Sequence, residues 1–246
     1  MGTSKNLLLT GASRGIGHAT VKYFYSAGWR VLTVSSQPFT KDDCPWSLGE
    51  ENHVQIDLSD LDSIKHGIVD VRERLNGEPL HALVNNAGRS PKGPNGERLN
   101  TLNTELAAWQ RVFNINFFAP AMLARGLFQE LKAAGDAAVI NVTSIAGGHV
   151  HPFAGSAYAT SKAALAALTR EMAADFGPHN IRVNAIAPGE IDTSILSPGT
   201  EKLVEQIPLH RLGKPEEVAA VIYFLCTLPA AYVNGAEIHI NGGQHV

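Results

Sequence analysis

Thr10-Gly11-Ala12-Ser13-Arg14-Gly15-Ile16-Gly17 joins an apolar run, Asn6–Thr10, to a helical pattern over residues 16–27. Glycines at 11, 15 and 17 let the chain turn tightly and approach a ligand closely. A helix that begins there presents free N–H groups and the positive end of its dipole, which suits a pyrophosphate. Three glycines in eight residues can also form an ordinary loop. The position of the turn, directly between a first strand and a helix, is what points to a dinucleotide.

Outward from this turn, short β-rich runs alternate with longer helical patterns. The strands are expected at 6–10, 30–35, 54–56, 81–85, 137–143, 182–186 and 237–240. Several are apolar without alternation, as parallel strands covered on both faces require. Helices are expected at 16–27, 61–75, 107–133, 157–176 and 215–228. This order predicts an α/β fold: one doubly wound parallel sheet of about seven strands, with helices on both faces and right-handed crossovers. No repeat, linker or composition shift marks a boundary, so residues 1–246 read as one domain. Two long loops, 36–53 and 187–211, follow the second and sixth strands. Ligands of such sheets bind beyond the carboxyl ends of the strands, where both loops lie.

Composition excludes several classes. Of 246 residues 44% are apolar and only 17% charged, against roughly 25% charged in an average domain. A large buried core follows, and disorder does not. The apolar run 218–226 is nine residues long, about half a membrane span. Twenty Lys and Arg against 23 Asp and Glu, without a dense basic run, leave no footprint for nucleic acid. The first strand begins within about five residues, leaving no space for a signal peptide. Asn6 stands where a myristoylation pattern needs Ser or Thr. Cys44 and Cys226 have no metal or redox spacing and read as free thiols in a reducing, cytoplasmic compartment. Asn141-Val142-Thr143 matches a glycosylation acceptor but falls within an apolar strand.

The glycine spacing is Gly-x-x-x-Gly-x-Gly, and Thr10 to Gly17 resembles the cofactor fingerprint of the short-chain dehydrogenases/reductases. A lone Tyr-x-x-x-Lys occurs readily by chance. Here Asn85-Asn86-Ala87-Gly88, Asn116, Ser144, Tyr158-Ala159-Thr160-Ser161-Lys162, Pro188-Gly189 and Gly242-Gly243 follow in the family's order over nearly the whole chain. The resemblance implies a Rossmann-like fold and NAD(P)(H)-dependent hydride transfer between a carbonyl and a secondary alcohol. It is strongest toward 3-oxoacyl-carrier-protein reductases and related alcohol or sugar dehydrogenases.

At the phosphate end, Gly11, Ser13, Arg14, Gly15, Ile16 and Gly17 are the expected cofactor contacts. NAD-binding chains commonly end the second strand with Asp or Glu, which binds the ribose 2′-hydroxyl. Ser35, Ser36 and Gln37 stand there instead, with no carboxylate to repel a 2′-phosphate. Arg14 is a charge-assisted donor for that phosphate, although no second Lys or Arg follows before Lys41. NADP(H) is therefore favoured over NAD(H). By resemblance, Asp57 and Leu58 contact adenine, and the competing role for Asp57 is a helix N-cap, with Ser59 and Asp60 as rivals. The resemblance also has Asn86 tying central strands together while Ala87 and Gly88 line the ribose. Pro188, Gly189, Ile191 and Thr193 would hold the nicotinamide end.

At the chemical end, Tyr158 and Lys162 share one helix face, one turn apart. An ammonium about 4 Å from the phenol, at an effective dielectric of ~20, would favour the phenolate by ~4 kcal/mol. That is roughly three pH units and would bring Tyr158 near neutrality. An ordinary amphipathic pair has the same spacing. Ser144 follows the fifth strand and is placed to stabilise an alkoxide, with Thr143 as rival hydroxyl. Ser144 and Tyr158 stand fourteen apart, slightly more than in many relatives. The resemblance assigns Asn116, rather than Asn114, to a water-linked proton relay through its main-chain carbonyl.

The substrate pocket is expected between residues 89–95, 146–153 and a lid over 190–211, whose Ile191, Ile195, Leu196, Leu203, Val204, Ile207 and Leu209 suggest an apolar cover. The same spacing suits a short helix packing home. His149 and His151 have a two-ligand metal spacing but no evident third ligand, so a substrate-lining loop is the better reading and no metal is expected. The partners implied are a small-molecule carbonyl or alcohol and copies of the chain, in a homodimer or homotetramer. The resemblance implies an interface through the helices at 107–133 and 157–176 and the C-terminal strand, and with Val246 three residues past Gly243 no tail would obstruct it. Two rival functions are a catalytically silent cofactor sensor and a sugar-nucleotide epimerase or dehydratase. The intact residue set argues against the first, and the lack of length for a substrate domain against the second.

Overall fold

The computed structural model describes residues 4–39, 49–193 and 200–246. Lys41, Cys44, Ile195 and Leu196 lie outside the described residues. The strands are β1 (Asn6–Thr10), β2 (Arg30–Ser35), β3 (His53–Gln55), β4 (Ala82–Asn85), β5 (Ala137–Val142), β6 (Ile181–Pro188) and β7 (Glu237–Ile240). All pair in parallel, in the order β3-β2-β1-β4-β5-β6-β7. The helices are α1 (Gly15–Ser26), α2 (Leu61–Leu75), α3 (Leu106–Phe113), α4 (Ala119–Gly126), α5 (Phe128–Ala133), α6 (Ser156–Phe176) and α7 (Pro215–Leu225).

The two-residue period of a strand divides the core into two layers. Leu8 enters one layer with Ile64, Ile68 and Val71 of α2, Leu123 of α4 and Met172 of α6. Leu7 and Leu9 enter the other with Val21 and Phe24 of α1 and Val218 and Ile222 of α7. Leu7, Leu8 and Leu9 are all fully buried; at about 1.5–3 kcal/mol per buried leucine, β1 anchors both layers. This explains why the central strands read as continuous apolar runs.

Among the boundaries that differ from expectation, three are informative. β3 lies one residue earlier, its ladder with β2 running from Thr33↔His53 to Ser35↔Gln55. The helix expected over 107–133 is interrupted by a wider π turn, Asn114–Phe118, and again at Leu127. Pro120 has no N–H for the carbonyl four residues back, that of Asn116, and its ring crowds that carbonyl. At the second break, Arg72 donates to the Gly126 carbonyl, and a side chain on Gly126 would meet Ile68 Cδ1 at 2.5 Å. α7 ends at Leu225, because Pro229 cannot serve the Leu225 carbonyl, and Arg182 Nη1 takes it at 2.7 Å.

After β3 the chain crosses to the far side of β1, so β1 and β4 form the switch point of the sheet. A crevice opens at their carboxyl ends. Among the described residues, no helix is long and apolar enough to cross a membrane.

Candidate functional site

One cleft of about 700 Å³ runs along this carboxyl edge. Gly11, Ser13, Arg14, Gly15, Ile16 and Gly17 line one end, with Ser35, Ser36, Asp57 and Leu58 beside them. Asn86, Ala87 and Gly88 form the middle; Ser144, Tyr158, Lys162, Pro188, Gly189, Ile191 and Thr193 lie toward the other end. Every residue expected to contact cofactor is therefore in this one space. Asn116 alone of the expected site residues lies behind its wall, fully buried.

The glycine turn fits a dinucleotide. Gly11 and Gly15 have φ of +71° and +54°, which disfavour any side chain. A Cβ on Gly17 would stand 2.0 Å from the Gly11 carbonyl oxygen and 2.6 Å from Asn86 Nδ2. Arg14 occupies the N-cap of α1 without a side-chain capping bond, so the first-turn N–H groups remain available. Thr193 closes over this turn, since a Cβ on Gly15 would lie 3.0 Å from Thr193 Cγ2.

Asn86 fastens the turn to β4. Its Nδ2 donates to the carbonyls of Thr10 and Gly11 at 3.0 and 2.9 Å. The Thr10 hydroxyl accepts the backbone N–H of Asn86 and Ala87 at 3.1 and 3.0 Å. The tying of central strands expected of Asn86 is thus visible. Asp60, and not Asp57, caps α2 by accepting from Asp62 N–H at 2.9 Å. Asp57 instead accepts from the Ser59 hydroxyl and N–H at 2.7 and 2.8 Å. Those bonds, the hydroxyl's first, hold its carboxyl below the ordinary range and keep it ionised at the cleft. Ser35 turns its hydroxyl back on its own loop, 2.9 Å from the Gln37 carbonyl.

α6 sets the chemical end. Tyr158 is half-buried, and the Ser144 hydroxyl near it favours its phenolate. Thr143 points away, its hydroxyl 2.8 Å from the Ile186 carbonyl and 2.6 Å from Glu237 Oε1. Lys162 is buried, and its ammonium donates to the Val142 carbonyl at 2.6 Å. It lies 5.7 Å from the centre of the Tyr158 ring. The expected depression of the phenol does not appear: burial dominates and raises the Tyr158 pKa, against the opposing effect of Ser144. Burial also pushes Lys162 down to about 8.

The π turn delivers Asn116. Its side chain donates to the Arg89 carbonyl at 3.1 Å and to Ser161 Oγ at 2.9 Å, and it accepts the Arg89 N–H at 2.8 Å. It thereby joins the segment after β4 to α6 one residue before Lys162. Asn114 faces elsewhere and donates to the Ser59 carbonyl at 2.8 Å.

A family model described as enoyl-(acyl carrier protein) reductase matches residues 11–245. The chain belongs to the short-chain dehydrogenase/reductase family. Protein FixR of Bradyrhizobium diazoefficiens is 60% identical over 246 residues, covering all of this chain and 88% of that protein. The 3-oxoacyl-[acyl-carrier-protein] reductase FabG of Aquifex aeolicus is 32% identical over 96% of each chain. A solved oxidoreductase of the same family from Brucella ovis, in complex with partially ordered NAD, has TM-score 0.84 and 59% identity. That match covers 97% of this chain and all of the other. As a short-chain dehydrogenase/reductase, the protein is an oxidoreductase that uses a nicotinamide cofactor.

Three residues at this end of the cleft make contacts that their sequence spacing did not announce. His151 and Glu190, 39 apart in sequence, form a nearly buried pair with Nε2 and Oε1 at 2.7 Å. Phe153 N–H donates to His151 Nδ1 at 3.2 Å, so Nε2 carries the proton toward Glu190. Lys92 is the third. His151, Phe153 and Ala154 of this loop line the cleft. In the lid region, Leu203 and Ile207 are buried while Leu209 is exposed. A Cβ on Gly242 would come within 2.8 Å of Ile207, so this segment packs home on the C-terminal glycines.

Proposed function

We propose that the enzyme transfers hydride between nicotinamide and a small carbonyl compound or its secondary alcohol, with Tyr158 as general acid and base. The convergence of Ser144, Tyr158 and Lys162 beside Gly88 and Pro188 carries this reading. A bound nicotinamide supplies or accepts the hydride. The Ser144 hydroxyl orients the substrate oxygen and stabilises its developing charge. The Tyr158 phenol, kept protonated by burial, gives its proton to that oxygen. Lys162 supports the phenolate so formed, and the Asn116 main-chain carbonyl, deprived of its helical donor by Pro120, holds a water for proton return.

In this reading Gly11 to Gly17 hold the phosphates, Asp57 and Leu58 the adenine, and Ala87 and Gly88 the ribose. Pro188, Gly189, Ile191 and Thr193 hold the nicotinamide end. NADP(H) is favoured over NAD(H), on the strength of exposed Arg14 and the absence of a carboxylate at Ser35 and Ser36. Residues 190–211 serve as the substrate lid of a single domain. Exposed Leu102, Leu106 and Phe118 support a homodimer or homotetramer, and the cytoplasm is the compartment proposed for it. A light-scattering mass of one 26.3 kDa chain would refute that assembly.

Following absorbance with NADPH or NADH and a carbonyl panel tests the activity and the cofactor together. Oxidation of NADPH is expected. Arg14→Ala should weaken NADPH binding about 10-fold and NADH binding little, given what a charge-assisted bond contributes. Tight NADPH binding with no oxidation by any carbonyl would favour the silent sensor. Equal loss of both cofactors in the variant would remove the argument for NADP(H).

A further inference from the structure

We propose that Lys92 is the specificity-determining residue of the substrate end, and that it receives a carboxylate carried by the carbonyl substrate. This rests on the oxidoreductase reading and names the substrate class for it.

Lys92 and Arg98 face each other across an isolated antiparallel bridge in the segment after β4. Both reach over to the loop after β5. The Lys92 ammonium donates to the Phe153 carbonyl, and Arg98 Nε to the Ala154 carbonyl at 2.7 Å. Among the described residues, neither cation has a carboxylate within 4 Å. The carboxylate that Lys92 feels is Glu190, which His151 holds at 2.7 Å. Lys92 thus lines the same cleft as Tyr158, partly buried, with one neutral acceptor for three N–H bonds.

Burial lowers the Lys92 pKa, the mark of a cation that the folded chain solvates poorly. A carboxylate entering the cleft restores a charge-assisted partner. Glu190 sets the other side of the choice: a second anion placed against it is repelled, so the anion is directed to the Lys92 wall. Lys92 and Glu190 line the same cleft as Ser144 and Tyr158, so both walls face the reacting centre. The substrate is then a keto acid or hydroxy acid, not a neutral ketone.

The experiment compares pyruvate, acetoacetate and levulinate with their methyl esters, which remove only the charge. At least one acid should exceed its ester in kcat/KM by about 10- to 100-fold, the range of a hydrogen bond to a charged group. Lys92→Met should bring that ratio to about one by raising KM for the acid, and Lys92→Arg should preserve most of it. A second readout is thermal unfolding of the NADPH-loaded enzyme with butyrate: a rise is expected in the wild type and none in Lys92→Met. The proposal is overturned if esters match or exceed acids and butyrate gives no rise. It is equally overturned if Lys92→Met lowers acid and ester turnover together and leaves the butyrate effect intact, since Lys92 would then only strap the loop. Failure of the catalytic reading is separable, because Tyr158→Phe would then retain turnover while the butyrate effect still reports on Lys92.

Discussion

Replacing Tyr158 by phenylalanine is expected to lower kcat about 10³-fold while leaving NADH affinity within about 3-fold. A positioned acid or base contributes about 10²–10⁴ to rate, and the variant deletes only the atom that carries the proton. The ring remains to line the cleft between Ser144 and Gly88, so binding surfaces persist. Stopped-flow turnover and fluorescence titration of NADH measure the two quantities separately. Near-wild-type turnover would refute the assignment of Tyr158 as acid and base. A comparable loss of NADH affinity would make the ring a binding element instead. Because burial raises the phenol, the alkaline limit of its protonated form, read by ultraviolet absorbance of the protein, should lie above that of free tyrosine. Ser144→Ala should move that limit further upward, because it removes the hydroxyl that opposes burial.

The architecture was legible because it rests on local signals. Continuous apolar runs mark strands covered on both faces, and Leu7, Leu8 and Leu9 do serve two core layers. The glycine turn was legible because Gly11, Gly15 and Gly17 each answer a local demand for positive φ or close approach. Breaks inside long helices were missed although Pro120 and Pro229 stood in view, because a proline's effect depends on which carbonyl it leaves unserved. For Leu225 that carbonyl went to Arg182, 43 residues away, a partner no local pattern announces.

The site divides along the same line. Residues fixed by their own strand ends, such as Asn86, Ser144 and Pro188, appear where the motif order puts them. His151 with Glu190, and Lys92 with Phe153, arise from loops that meet only in the folded chain, so sequence spacing carried no trace of them. The Tyr158 ionisation failed for a related reason. One-turn spacing on α6 brings Lys162 beneath the ring, but the Val142 carbonyl captures its ammonium, and burial acts on both groups.

That burial makes Lys162 costly, and Lys162→Met should stabilise the protein at pH 7 while abolishing most turnover. The folded chain holds this lysine at about 8 where 10.5 is ordinary. Between those values the unfolded chain binds more protons, so the wild type gains stability as pH rises through the window. Below pH 8 the full cost of the buried charge is present, about 3 kcal/mol at ~1.36 kcal/mol per pH unit. Methionine removes that cost and gives up a hydrogen bond to Val142 worth about 1 kcal/mol. The net gain of about 2 kcal/mol corresponds to a Tm rise of roughly 4–8 °C for a chain of this size. Near pH 10.5 the lysine is neutral when folded, and the advantage should vanish or reverse by the hydrogen bond alone. Calorimetric scans of both proteins at pH 7 and pH 10 decide the matter. A variant less stable than wild type at both pH values, by the same margin, would show that the ammonium is not strained by its site. A stabilised, inactive variant would show instead that the fold sacrifices stability to keep a cation beside the Tyr158 phenolate, where turnover requires it.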